Sequence, residues 1–129
     1  VKLAKPDFPV FSLMGDGGFG MTVSELSTAV SHKINTITIV MNNKSWGAEK
    51  AYQRDFYDQR YIGADIDSPP FHKLAEIYGA KGYHVAKLQD LNNVIADALV
   101  CNKPAVINID VDPKALYSFR KDSFKHRSK

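Results

Sequence analysis

The chain lacks the features that mark a membrane protein, a disulfide scaffold or a metal cluster of sulfur and nitrogen. No apolar run approaches the ~18 residues expected of a spanning helix. A single cysteine, Cys101, in 129 residues cannot form an internal disulfide, and it reads as a helix-end residue that packs. The opening "VKLAKPDFPVFSLM" has no apolar stretch followed by a small-residue cleavage site. With the lone cysteine, that makes the cytoplasm the expected compartment. His32, His72, His84 and His126 are scattered without metal-ligand spacing. No segment repeats, and the 6 prolines and 8 glycines are ordinary.

A strong charge of one sign is also missing, since the net charge is only +3. It is unevenly placed: Lys114, Arg120, Lys121, Lys125, Arg127 and Lys129 face a single acid, Asp122, in residues 114–129. No helix-turn-helix, RNP or zinc pattern accompanies this basic tail, so neither nucleic acid nor membrane is an expected partner. What is present is a 44% apolar sequence that reads as one globular domain over residues 1–113, followed by the tail 114–129.

Apolar runs and helical patterns alternate along that domain. "PVFSLMG" (9–15) is short, apolar and ended by glycine, as a strand buried on both faces should be. "TVSELSTAVSHK" (22–33) carries Val23, Leu26, Ala29 and Val30 at helical spacing. "NTITIVMNN" (35–43) is β-branched and reads as a strand. After a polar and aromatic stretch (44–68), a helix is expected from Ser68 and its prolines to Gly79. A strand (83–88), a helix (90–100) with Asp90 as N-cap, and a last strand (104–112) complete the order. This β-α-β-α-β-α-β succession predicts a doubly wound, mostly parallel sheet with helices on both faces.

Ligands of such sheets sit at the carboxyl ends of the strands. There the first strand carries "GDGGFG" and the second carries Asn42 and Asn43. A carboxylate between glycines beside a buried strand is unfavourable unless it caps the following helix or meets a cation. Asp16, Asn43 and a backbone carbonyl of the next turn are hard oxygen donors of the kind Mg²⁺ or Ca²⁺ takes. Mg²⁺ commonly completes its octahedron with phosphate oxygens and water, so a phosphate-bearing ligand is implied. Gly17, Gly18 and Gly20 let a backbone approach it closely. Gly15, Gly17 and Gly20 also satisfy G-x-G-x-x-G, yet the second strand ends in Asn42 and Asn43 where a dinucleotide site wants a carboxylate.

Gly15-Asp16-Gly17, 24 residues, then Asn42-Asn43 resembles the diphosphate-binding motif of the thiamine-diphosphate-dependent enzymes. The likeness implies a truncated form of their C-terminal diphosphate-binding domain, with thiamine diphosphate and Mg²⁺ as cofactors. It implies Asp16, Asn43 and the Ser45 carbonyl as metal ligands, and Gly15, Gly17, Gly18, Phe19, Trp46 and Gly47 as cofactor neighbours. Within the family, "NNKSWGAEKAYQRDFYDQRY" and the ending "LYSFRKDSFKHR" are similar to the sulfoacetaldehyde acetyltransferases. The acetolactate synthases share the double Asn, Gly47 and Phe56-Tyr57, but have methionine and tryptophan where this chain has Ala48 and Tyr52.

The first likeness implies loss of sulfite from sulfoacetaldehyde and transfer of acetyl to phosphate. Both small-molecule substrates are anions, which makes Lys50, Arg54 and Arg60 candidate anion contacts. The family's activating glutamate lies on a separate pyrimidine-binding domain that these residues do not include. The expected partners are therefore that missing domain or subunit and further copies in a homo-oligomer, the chain alone being inactive. A non-catalytic interaction domain with the same fold is the remaining alternative.

Overall fold

The computed structural model describes residues 1–118. Most of the basic tail, with His126, lies outside the described residues. Four strands, β1 (Phe11–Gly15), β2 (Ile37–Asn42), β3 (Lys81–Val85) and β4 (Ala105–Asp110), form one parallel sheet in the order β1-β2-β4-β3. Helices α1 (Asp16–Thr22) and α2 (Glu25–Ser31) join β1 to β2, α3 (Gly47–Phe56) and α4 (Phe71–Ile77) join β2 to β3, and α5 (Leu91–Val100) joins β3 to β4. The α/β parallel architecture expected from the alternation is thus present.

Side chains alternate across each strand, and the two sets meet different helices. On one face Met14, Val40 and Val106 pack with Phe19, Leu26, Phe71 and Ala75 of α1, α2 and α4. Phe19 meets Phe71 edge to face at 5.1 Å between ring centroids. On the other face Ile37, Val85, Ala105 and Ile107 pack with Leu91, Val94, Ile95 and Ala98 of α5, where Cys101 also rests. The chain travels outward from β1 to β3 and then returns to β4, and right-handed crossovers place the returning helix on the opposite face. Val40, Val106 and Ile107 are fully buried, each contributing about 1.5–3 kcal/mol by leaving water.

Several local expectations are corrected. β1 is covered on one face only: it is an edge strand, and Phe11 and Leu13 remain 45% and 72% exposed. The helix expected over 22–33 is the shorter α2, and a further helix, α1, precedes it, starting at Asp16 inside the glycine stretch. At the break the Thr22 hydroxyl donates to the Phe19 carbonyl and that of Ser27 to Ser24, bonds that compete with a continuous ladder. The stretch 44–68 contains α3, whose Ala51 is fully buried. The last helix before β3 begins at Phe71, not Ser68, because a residue preceding proline is pushed to extended backbone. It ends at Ile77, two residues before the expected Gly79, whose φ of +89° turns the chain so that the amides of Gly79 and Ala80 return to the carbonyls of Glu76 and Ala75.

His72 of α4 stacks on His84 of β3 with centroids 4.9 Å apart and planes 11° from parallel. Burial, then His84 and Lys73, lower the His72 pKa from its ordinary 6.5, against smaller opposing effects of Glu76 and Asp110. Above pH 6.5 the group is neutral folded or unfolded and costs nothing. As pH falls below that value the unfolded chain binds the proton more readily, so stability drops. The melting temperature is therefore expected to fall between about pH 7.5 and 5.5, and less steeply in His72→Asn. Equal slopes for the two proteins would remove His72 as the cause.

Candidate functional site

Register brings the motif residues to one rim. Gly15 closes β1 opposite Met41, so the turn into Asp16 lies beside the end of β2, where Asn42 and Asn43 leave the sheet. Asp16 is 2% exposed. The alternative in which its carboxylate caps the helix is not what is seen: Gly15 is the N-cap and no side chain caps α1. The carboxylate instead accepts the Ser68 hydroxyl at 2.5 Å. That bond uses the serine at which the sequence places a helix start, and it ties the segment ending at Ser68 to the rim.

The turn after β2 is built in layers. Asn43 Oδ1 accepts the Ser45 amide at 3.1 Å. The Trp46 amide donates to the Ala64 carbonyl, and the Ile66 amide to that of Lys44, so Ser45 lies in a short bridge to Asp65 that leaves its own carbonyl out of these bonds. Ser45 is 3% exposed and its hydroxyl is buried without a partner. Trp46 lays its ring on Gly17: a Cβ there would fall 2.7 Å from Trp46 Cζ3. At Gly47 a Cβ would fall 2.8 Å from Asn43 Nδ2. These two glycines are required by close approach, and each approach joins one motif half to the other or to its own loop. Phe19 is in the core, while Gly18 is open, with nothing within 4 Å of the position a Cβ would take.

Among the described residues no three His, Cys, Asp or Glu side chains cluster as a metal set. A cation at this rim would accordingly take one carboxylate, an amide oxygen and a carbonyl from the protein, and the rest from ligand and water. That donor set suits Mg²⁺ with a diphosphate. The unpartnered Ser45 hydroxyl and the lean hydrogen bonding of buried Asp16 fit a site completed by such a group.

A model of the thiamine pyrophosphate enzyme C-terminal TPP-binding domain matches residues 1–109. The chain belongs to this family. It is 35% identical over 126 residues to the sulfoacetaldehyde acetyltransferase of Alcaligenes xylosoxydans xylosoxydans, covering 95% of this chain and 21% of that one. Against the probable acetolactate synthase large subunit of Methanococcus aeolicus it is 32% identical over 118 residues, covering 91% and 20%. Among solved structures it is similar to the thiamine diphosphate-dependent 4-hydroxybenzoylformate decarboxylase of Rhodococcus jostii RHA1, with TM-score 0.80, 31% identity and coverage of 86% and 21%. The chain thus spans about a fifth of the length of these relatives.

In this TPP-binding domain Ala48 and Glu49, which directly follow Gly47, line a cavity of about 700 Å³ together with Tyr52, Tyr57, Arg60 and Tyr61. Ser118 also lines it, with a buried hydroxyl that has no partner. The three candidate anion contacts are placed differently. Lys50 pairs with Asp65 and lies 5.5 Å from the Tyr61 ring centroid. Arg54 grips Asp55 through two nitrogens, at 2.7 and 3.1 Å, and donates to the Leu116 carbonyl. Arg60 lines the cavity and donates to the Tyr57 carbonyl, and it is in none of the ion pairs among the described residues. Sequence reasoning missed Ser68, Ser118 and Asn108, the last a buried amide on β4 that bonds Asn42. Only Asn108 left a signal, a polar residue among the apolar run of a central strand.

Proposed function

We propose that this chain holds the diphosphate end of thiamine diphosphate through Mg²⁺, as part of an enzyme that converts sulfoacetaldehyde and phosphate to acetyl phosphate and sulfite. The observation that carries the cofactor reading is buried Asp16 set beside the Asn43–Ser45 turn, with Trp46 on Gly17 locking the two together. Asp16, Asn43 and the Ser45 carbonyl would hold the metal, and Gly18, with nothing within 4 Å of its Cβ position, leaves the backbone open to the phosphates. Thiamine diphosphate, when bound, supplies a nucleophilic carbon and an electron sink for the substrate carbonyl.

The chain's own contribution to substrate handling is the adjoining cavity. Tyr52, Tyr57 and Tyr61 wall it and Arg60 brings a guanidinium, the group best matched to a planar oxyanion face. Ala48 and Tyr52 supply smaller walls than the methionine and tryptophan of the acetolactate synthase pattern, which leaves room for a sulfonate. Lys50 and Arg54 act on the fold of this wall, being held by Asp65 and Asp55. In the complete enzyme carrying this chain, sulfite release from sulfoacetaldehyde should require phosphate, and Arg60→Ala should raise KM by about tenfold, the usual loss of one charge-assisted bond. Condensation of pyruvate to acetolactate, with no sulfite released, would replace this reading by an acetolactate synthase one. Neither activity, with no cofactor bound, would favour an interaction domain.

A further inference from the structure

Asn108 stands in a central strand between Ile107 and Ile109, 2% exposed. Both polar atoms of its amide are bonded. Nδ2 donates to Asp110 Oδ1 at 3.3 Å, and Oδ1 accepts Asn42 Nδ2 at 3.0 Å. Asn42 in turn accepts the Lys44 amide on its own Oδ1 at 3.3 Å, and its carbonyl accepts the Val111 amide. Asp110 Oδ2 meets His84 Nε2 at 2.8 Å.

The direction of this chain is dictated by one member. An ionised Asp110 can only accept, so Asn108 must turn its NH₂ toward it and its oxygen toward Asn42. Asn42 must then present its own NH₂ to Asn108, which leaves its oxygen for the Lys44 N–H. Lys44 sits at φ 55°, a left-handed backbone that a side chain disfavours, so its turn needs an external hold. This is the turn that carries Asn43 and Ser45.

We propose that Asn108 is a positioning residue for the cofactor loop, and that Asp110, steadied by His84, sets the polarity of the relay Asp110, Asn108, Asn42, Lys44. This rests on the reading that the loop holds Mg²⁺ and the diphosphate. Outer partners that orient metal ligands are worth about 10–100-fold in metal affinity.

The test uses the full chain, with two readouts: amide hydrogen exchange at Lys44, which needs no cofactor, and the Kd for thiamine diphosphate at saturating Mg²⁺. Asn108→Ala is expected to speed Lys44 exchange and raise Kd about 10–100-fold. Asn108→Asp should do the same by setting two acceptors face to face. The double variant Asn108→Asp with Asp110→Asn again pairs a donor with an acceptor, the amide now at position 110 donating to the carboxylate now at 108, which still accepts Asn42 Nδ2, and its Kd should return toward wild type. A part played only in packing would not produce that rescue. Should the buried changes fail to fold, Asp110→Ala, at a side chain 55% exposed, tests the same relay and should also speed Lys44 exchange. Unchanged Lys44 exchange together with wild-type Kd in the folded variants would overturn the relay alone. A wild-type chain that binds no cofactor, with Lys44 exchange still responding to Asn108→Ala, would overturn the cofactor reading and the positioning role that depends on it.

Discussion

Gly82→Ala is expected to destabilise this domain by about 3 kcal/mol, the upper end of the range for overpacked cores. Gly82 lies on β3 opposite Val106, under α4. A Cβ there would fall 2.0 Å from the His72 carbonyl oxygen and 2.7 Å from its carbon. Both are helix backbone, so no rotamer change relieves the clash. The helix itself would have to lift, taking Phe71 and Ala75 out of the core cluster they share with Val106. Gly18→Ala is the matched control, since nothing lies within 4 Å of its Cβ position. Denaturant midpoints for the two variants should differ widely, Gly18→Ala remaining within about 0.5 kcal/mol of wild type or gaining slightly. A Gly82→Ala midpoint equal to wild type would mean that α4 does not rest on β3 as described.

Asp16→Ala should separate stability from binding. A carboxylate 2% exposed with a serine hydroxyl as its bonded partner is costly to bury. Its removal is expected to leave the melting temperature at or above that of wild type. The same change deletes the one carboxylate of the proposed metal set, and losing a direct ligand should exceed the loss of an outer partner. Mg²⁺-dependent affinity for thiamine diphosphate should therefore fall by at least about a hundredfold. Trp46, the single tryptophan, lies on Gly17 next to this group, so its fluorescence reports the event directly. A variant that keeps the Mg²⁺-dependent signal would remove Asp16 from the site, and one that melts well below wild type would give it a structural role instead.

How much of this was legible in the sequence differs by element, for physical reasons. β2 and β4 were plain because a buried parallel strand must be β-branched and nearly continuous, as "ITIVM" and "AVINI" are. α5 was plain from its apolar spacing and flanking loops. α3 was not, because only Ala51 of its residues is buried and four charged side chains, Glu49, Lys50, Arg54 and Asp55, interrupt the apolar ones. Its apolar residues Ala48, Ala51, Tyr52 and Phe56 do repeat at helical spacing, a signal a finer reading could have used. The pairing of the motif halves followed from strand ends sharing a rim. Ser68 could not have been foreseen at Asp16, since 52 residues separate them and a serine before two prolines reads first as a helix start. Likewise, which of Lys50, Arg54 and Arg60 faces the cavity depends on contacts with Asp65, Asp55 and Leu116 that composition does not disclose.

The cofactor reading is tested most directly by calorimetric titration of thiamine diphosphate into the protein with and without Mg²⁺. Saturable binding that requires the metal is the result expected of a diphosphate held through Asp16, Asn43 and Ser45. Binding of equal strength without Mg²⁺, or none with it, would contradict the account.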